Sequence, residues 1–318
     1  MTNINKKPSL KKKFFKVQDS IGIWMDKGNR TTRVFLFPYV LMFIIFIVLP
    51  FIVAIGFSFT YYNSVQTPKF VGVKNYIYMF TQDPYFMKQV LPNTILFSLV
   101  VGPGGYVLSF VLAWLLSQVP RGARTVLSLI IYSPSMTSGI AMAVLWRTIF
   151  SGDEGGYLNS LLLRLGTISE PVQWLQSPQY LMTIMIVVSL WSSMGIGFLA
   201  MLSGLLGVNK ELYEAAYLDG ITNRFQEVIY ITIPSMKNQM LFGAVMSIVG
   251  AFNAGAIGVS LSGSNPTPQY SGQLIVNHIA DYTSSRMELG MASALSVILL
   301  LIVYIFNKVF SNLFRDRS

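Results

Sequence analysis

Apolar residues in this chain gather into six long runs. They cover about Val34–Phe59, Asn93–Leu116, Val126–Phe150, Tyr180–Leu206, Met240–Leu261 and Leu289–Phe310. A helix rises 1.5 Å per residue, so a hydrocarbon core of about 30 Å needs roughly 20 residues, and each run is long enough. Pro38, Pro50, Pro103 and Pro134 fall inside or near the runs. Membrane helices tolerate proline better than soluble ones do. The pattern predicts an all-α integral membrane protein with six transmembrane helices, and no internal repeat is visible.

Between the fourth and fifth runs lies a polar stretch, EAAYLDGITNRFQEVIYITIP, from Glu214 to Pro234. Asn209 suits the N-cap of a helix starting at Lys210, with Glu211 and Glu214 in the early turns, where the helix dipole favours acids. Ala215 and Ala216 form helix readily and leave a small profile. Gly220 fits the C′ position, where a positive φ costs it little. Asn223 followed by Gln226 resembles a capping box that opens a second short helix, and Pro234 suits the first turn of the next. The segment 209–237 therefore reads as helix, glycine turn, helix, with a small-residue face able to enter a groove and Glu214 and Asp219 available for polar contacts. An ordinary polar connector is the other reading.

Composition agrees with a membrane chain: 53% of residues are hydrophobic and 11% charged, against about 25% charged in soluble domains. Six spans put both termini on one side. That side carries 17 of the 23 Lys and Arg residues, so the positive-inside bias predicts cytoplasmic termini and a cytoplasmic 209–237 loop. The net charge of +10 follows mostly from this bias and from a basic arm over residues 1–33, suited to anionic lipid. Trp24 fits a membrane interface, so the arm reads either as carrying a short surface-lying helix or as a disordered tail over Met1–Gln18. It has no short apolar run with a cleavage site behind it, so it does not read as a cleaved signal. The basic residues flank spans without an aromatic platform, which argues against nucleic acid as a partner.

Several chemistries lack material. There is no cysteine and a single histidine, His278, which excludes thiolate sites and leaves nothing for a histidine zinc site or a Ser-His-Asp triad. No Asp or Glu falls within the six runs, which argues against proton pumps, ion-coupled carriers and intramembrane proteases. The runs do hold neutral polar groups, among them Ser138, Ser189, Ser192, Ser193 and Asn253. Any single serine can serve interhelical bonding, whereas Asn253 is costly in lipid and must face protein or water. A hydroxyl- and amide-lined path with Trp and Phe faces suits a neutral polyol. The chain has no G-x-x-x-x-G-K-[ST] phosphate loop, so energy for uphill transport must come from a separate ATPase chain.

The Glu214-Ala215-Ala216, Asp219-Gly220 and Ile231-Thr232-Ile233-Pro234 elements resemble the EAA signature of ABC importer permeases, with ten residues between Gly220 and Ile231 instead of the usual nine and Ile233 in place of Leu. The stretches FLFPYVLMFIIFIVLPFIVAIGFSFTYYN, FVGVKNYIYMF, LPNTILFSL, VLWRTIFSGDEGGYLNSLL and GMASALSVILLLI are similar to the maltose and glycerol-phosphate branch of that family. AFNAGAIGVSLSGSNPTPQYSGQ departs from its usual pattern. The resemblance implies a type I importer permease fold with a coupling-helix loop, in a bacterial or archaeal cytoplasmic membrane. It implies a second homologous permease, two ATPase subunits that bind ATP and Mg, and an extracytoplasmic solute-binding protein, with no cofactor on this chain. Glu214, Ala215, Ala216, Asp219, Gly220 and Pro234 are then expected to couple to the ATPases. Phe252 and Asn253, with Ser193 and Ser138, are expected along the path of a carbohydrate, by resemblance an oligosaccharide. A permease for a non-sugar solute and a membrane scaffold without transport are the alternatives.

Overall fold

The structure, a computed structural model, describes residues 30–137 and 139–313. The expected interfacial helix around Trp24 lies outside the described residues. Contacts divide the chain into two units, Met1–Gly56 and Phe57–Ser318, with the division inside the first span.

The described part of the first unit is one helical rod: α1 (Arg30–Phe43), a π turn (Ile44–Val48) and α2 (Leu49–Ser58), whose last two residues enter the second unit. Its most apolar window contains no buried residue in this chain. The π turn has a cause in the sequence. A helical proline lacks an N–H and its ring clashes with the carbonyl four residues back. A turn widened to i→i−5 relieves that clash, and here the Leu49 amide donates to Ile44 O immediately before Pro50. The same device recurs before Pro92, where Leu91 N donates to Phe86 O, and before Pro234, where Ile233 N donates to Val228 O.

The second unit opens with a two-stranded antiparallel hairpin, β1 (Thr60–Tyr61) and β2 (Lys69–Phe70). Then come α3 (Lys74–Thr81), α4 (Leu91–Ser117), α5 (Arg121–Met136), α6 (Gly139–Ile149), α7 (Tyr157–Arg164), α8 (Pro178–Trp191) and α9 (Ile196–Gly207). The polar module holds α10 (Lys210–Leu218), α11 (Arg224–Glu227) and α12 (Ile233–Ser235), and the chain continues through α13 (Lys237–Asn253), α14 (Ala256–Ser262), α15 (Ile275–Ala280) and α16 (Leu289–Leu313). We call the end with the hairpin and residues 151–177 and 263–288 the hairpin end, and the end with residues 208–236 the module end.

The six expected spans are all present, but only three are continuous helices; the third, fourth and fifth are the pairs α5–α6, α8–α9 and α13–α14, each bent by more than 40°. The continuous α4 is the post of the bundle, and α9 and α13 pack on it and on each other. Small residues allow this: a Cβ added at Gly102 of α4 would touch Ile248, and one added at Gly105 would crowd Ser193 and Ser247. The core falls into clusters toward the module end (Phe198, Met201, Met236), in the middle of the bundle (Phe97, Leu181, Met185) and beside α16 (Phe86, Tyr282, Leu295).

Three of the stretches that carry the family resemblance, around Asn75, Asn93 and Asn159, prove to be scaffolding of the hairpin end. Asn75 donates to Ser58 O and Thr60 O at 2.8 and 2.9 Å. Asn93 reaches Tyr270 O at 2.8 Å, and the Thr94 hydroxyl accepts from Ile275 N at 2.9 Å. Asn159, fully buried, donates to Ser151 O, Asp153 O and Val172 O and accepts from Val172 N and the Trp174 indole, all within 3.1 Å. His278, the lone histidine, is bound to Asp83 through Nε2 at 2.8 Å. Asp83 also accepts from Tyr282 OH at 3.0 Å and from the Tyr85 and Phe86 amides at 2.9 and 3.0 Å. Burial pushes the Asp83 carboxyl up, but the bonds from His278 and the two amides, with the His278 charge, prevail and hold it well below the usual carboxylate range. Burial and the neighbouring Asp83 charge push the Tyr282 phenol up.

Candidate functional site: a polar cavity at the helix breaks

The three helix breaks converge. A cavity of about 420 Å³ is lined by Ser135, Thr137 and Gly139 at the α5–α6 break, by Ser192 and Ser193 at the α8–α9 break, and by Asn253, Ala254 and Ala256 at the α13–α14 break. A second cavity of about 340 Å³ continues toward the module end, lined by Ser109, Tyr132, Gly197, Met201 and Gly243. The two share Ser135, Ser193, Met246 and Ser247 as a common wall. Irregular backbone at membrane depth is tolerable only where it is buried in protein or faces a polar space, and here it faces one.

Among the described residues, no lining residue of either cavity is charged. Arg147, the nearest cation in sequence, does not line the first cavity; its Nε donates to Leu261 O at 3.2 Å. The aromatic wall is Trp146, stacked on Phe150 at 5.7 Å and edge-on to Trp191 at 5.3 Å.

Most lining hydroxyls are already engaged. Ser193 donates to Leu190 O at 2.7 Å, Ser247 to Gly102 O at 2.6 Å and Ser135 to Tyr132 O at 2.7 Å. Two groups are different. The Ser189 hydroxyl and the Trp146 indole N–H are buried in the wall with no hydrogen-bond partner among the described residues. A buried polar group left unbonded costs about 1–3 kcal/mol, so both would gain from a partner once a shift of the wall uncovers them.

Of the path residues expected from sequence, Asn253 and Ser193 line the cavity. Phe252 does not. It is 2% exposed and packs edge-on against Phe306 of α16 at 5.1 Å; one residue of helix turns a side chain by about 100°, so neighbours 252 and 253 face different ways. Ser138 lies outside the described residues. Ser189 and Trp146 were not expected, since sequence does not reveal which hydroxyls the helix carbonyls will occupy.

The module has the expected helix, turn, helix form. Asn209 Oδ1 accepts from Glu211 N at 3.1 Å, and Gly220 closes α10 at φ +93°. Asn223 Oδ1 accepts from Gln226 N at 2.8 Å, while the Gln226 side chain reaches back to Thr222 N, one residue before the cap. Glu214, Ala215, Asp219, Gly220 and Pro234 are exposed. Ala216 is buried against its own chain, so the outward face of α10 carries Ala215 without Ala216. Leu218 and Phe225 stand out at 90% and 73% exposure. The connector 221–223 and the π turn Val228–Thr232 accommodate the long spacer, leaving Ile231 and Thr232 buried.

A mostly helical multi-pass chain, with three broken spans around a cavity that has no charged lining among the described residues, is the architecture of a membrane permease. The chain belongs to the family described as "Binding-protein-dependent transport system inner membrane component", which matches residues 105–316. It is a transport subunit and not an enzyme. It is 30% identical over 278 residues to the probable ABC transporter permease protein YesP of Bacillus subtilis, covering 87% of this chain and 88% of that one. It is 29% identical to the arabinooligosaccharides transport system permease protein AraP of the same organism, covering 84% and 83%. Among solved structures it is similar to a bacterial ABC transporter involved in import of the acidic polysaccharide alginate, with a TM-score of 0.74, 22% identity and coverage of 93% and 99%.

Proposed function

We propose that this permease subunit moves a neutral carbohydrate, of oligosaccharide size, through the cavity at the helix breaks. The observation that carries this reading is the lining: among the described residues, mostly apolar walls bearing hydroxyls, one amide and an indole, without a charged side chain, and with Ser189 and Trp146 unpartnered. Sugars offer hydroxyls for such groups and apolar C–H faces for an aromatic wall. The arabinooligosaccharide relative supports the class. That no cation lines the cavity among the described residues supports a neutral cargo over an acidic one.

The same reading assigns a second homologous permease, two ATPases that bind ATP and Mg, and an extracytoplasmic solute-binding protein as partners. It assigns the termini and the module to the cytoplasm, following the Lys and Arg bias. Glu214, Ala215, Asp219 and Gly220 then face the ATPase, and Asn253 contacts the sugar.

The test is uptake by the whole importer in proteoliposomes, with arabino- and galacto-oligosaccharides, uronate oligosaccharides and peptides as alternative cargoes. Neutral oligosaccharide is taken up, and Ser189→Ala and Trp146→Phe each raise its half-saturation roughly fivefold or more, as loss of one bond of about 1 kcal/mol requires. Uptake of peptide or uronate in place of neutral sugar overturns the reading.

A further inference from the structure

The two tyrosines of α10, Tyr213 and Tyr217, lie one turn apart and so share a face. Both reach across to the segment that leads into α13. Tyr217 OH donates to Glu227 Oε1, and Arg224 Nη1 bonds Glu227 Oε2 at 2.9 Å. Tyr213 OH meets Thr232 Oγ1 at 2.9 Å, and that hydroxyl in turn donates to Glu227 O at 3.2 Å. Glu227 is 5% exposed although its neighbour Phe225 is largely exposed. A carboxylate that deep is held only when its oxygens are paired. Donation to it pushes the Tyr217 phenol up. The opposite side of α10 carries the exposed Glu214, Leu218 and Asp219, so the helix has one face for its own chain and one for a partner.

We propose that Glu227 is a positioning residue: with Tyr217 and Arg224 it clasps α10 to the entry of α13, so that the module and this span move as one body. The span it drives carries Met246 and Ser247 of the shared cavity wall and ends at Asn253. A displacement of α10 is thereby delivered to the cavity and not absorbed in the connector 221–223. The inference rests on the reading of the module as the ATPase contact.

The lack of cysteine makes the test clean. Leu212→Cys and Asn238→Cys are spin-labelled in the complete importer in lipid nanodiscs, and the distance between labels is measured with and without ATP and Mg. With the clasp intact, the distance stays the same while the importer cycles. Tyr217→Phe and, separately, Glu227→Gln broaden the distribution. They raise ATP hydrolysed per sugar taken up severalfold, since removing a charge-assisted bond shifts the closed–open balance by about tenfold, with insertion and subunit assembly unchanged. A wild-type distance that changes with ATP overturns the proposal, and so does an unchanged distribution and coupling ratio in both variants. Glu214→Arg on the outward face reports on the docking reading separately: ATPases that still co-purify and stay coupled remove that reading, whereas the label distances judge the clasp alone.

Discussion

Replacing Asp83 by Ala tests how the hairpin end is held. The carboxylate accepts four hydrogen bonds, two from backbone amides and two from the buried His278 and Tyr282. Alanine leaves the Phe86 amide, His278 Nε2 and the Tyr282 hydroxyl facing no acceptor in a region closed to water. Breaking a buried charged pair from one side costs about 3–5 kcal/mol, and each stranded group alone costs about 1–3 kcal/mol. A loss of about 4 kcal/mol corresponds to a melting shift on the order of 10 °C for a chain of this size. Asp83→Asn is milder: its carbonyl oxygen still serves the two amides, and only the bonds to His278 and Tyr282 must rearrange. The pH dependence has a definite sign. The folded carboxyl lies below its ordinary value of 3.8, so its stabilisation is fully present above that value and is lost as the pH falls through the folded one. The gap between wild type and Asp83→Ala is therefore constant from neutral pH down to about pH 5 and closes only in stronger acid. Thermal melting of the detergent-solubilised importer, followed by fluorescence-detected size exclusion across this range, is the assay. The reasoning is refuted if Asp83→Ala melts with wild type at neutral pH, or if Asp83→Asn is equally damaging.

Two further outcomes follow from the same structure. Asn159→Ala strands two donors and three carbonyls around residues 151–174; it lowers stability by about 3 kcal/mol or more, seen as early proteolysis of that segment. Phe252→Leu loosens the contact with Phe306 and costs about 1 kcal/mol in melting, while the half-saturation for sugar stays at the wild-type value, because the ring does not reach the cavity.

The six spans, the caps at Asn209 and Asn223 and the positive φ at Gly220 were legible because each rests on local physics: run length, side-chain capping, the missing Cβ. The breaks were not. The prolines that stand out in the sequence mostly sit in intact helix, Pro103 inside the continuous α4 and Pro50 behind a π turn. The α8–α9 break falls at Ser192–Gly195 and the α13–α14 break at Ala254–Gly255, where nothing local forbids a helix and tertiary packing decides. The same limit explains the path residues. Asn253 was found because an amide in lipid needs a polar neighbour. Ser189 was lost among other serines because its free hydroxyl is a property of the assembled wall.

The confinement of breaks to three spans has an evolutionary side. The continuous α4 and α16 carry much of the packing that keeps the bundle assembled, whereas the cavity wall draws heavily on a few residues at the ends of half-helices. Substitutions at those ends exchange one hydroxyl or amide for another without repacking the post. A lineage can therefore change the lining of this cavity through a handful of substitutions, each nearly neutral for assembly, while the frame stays as it is.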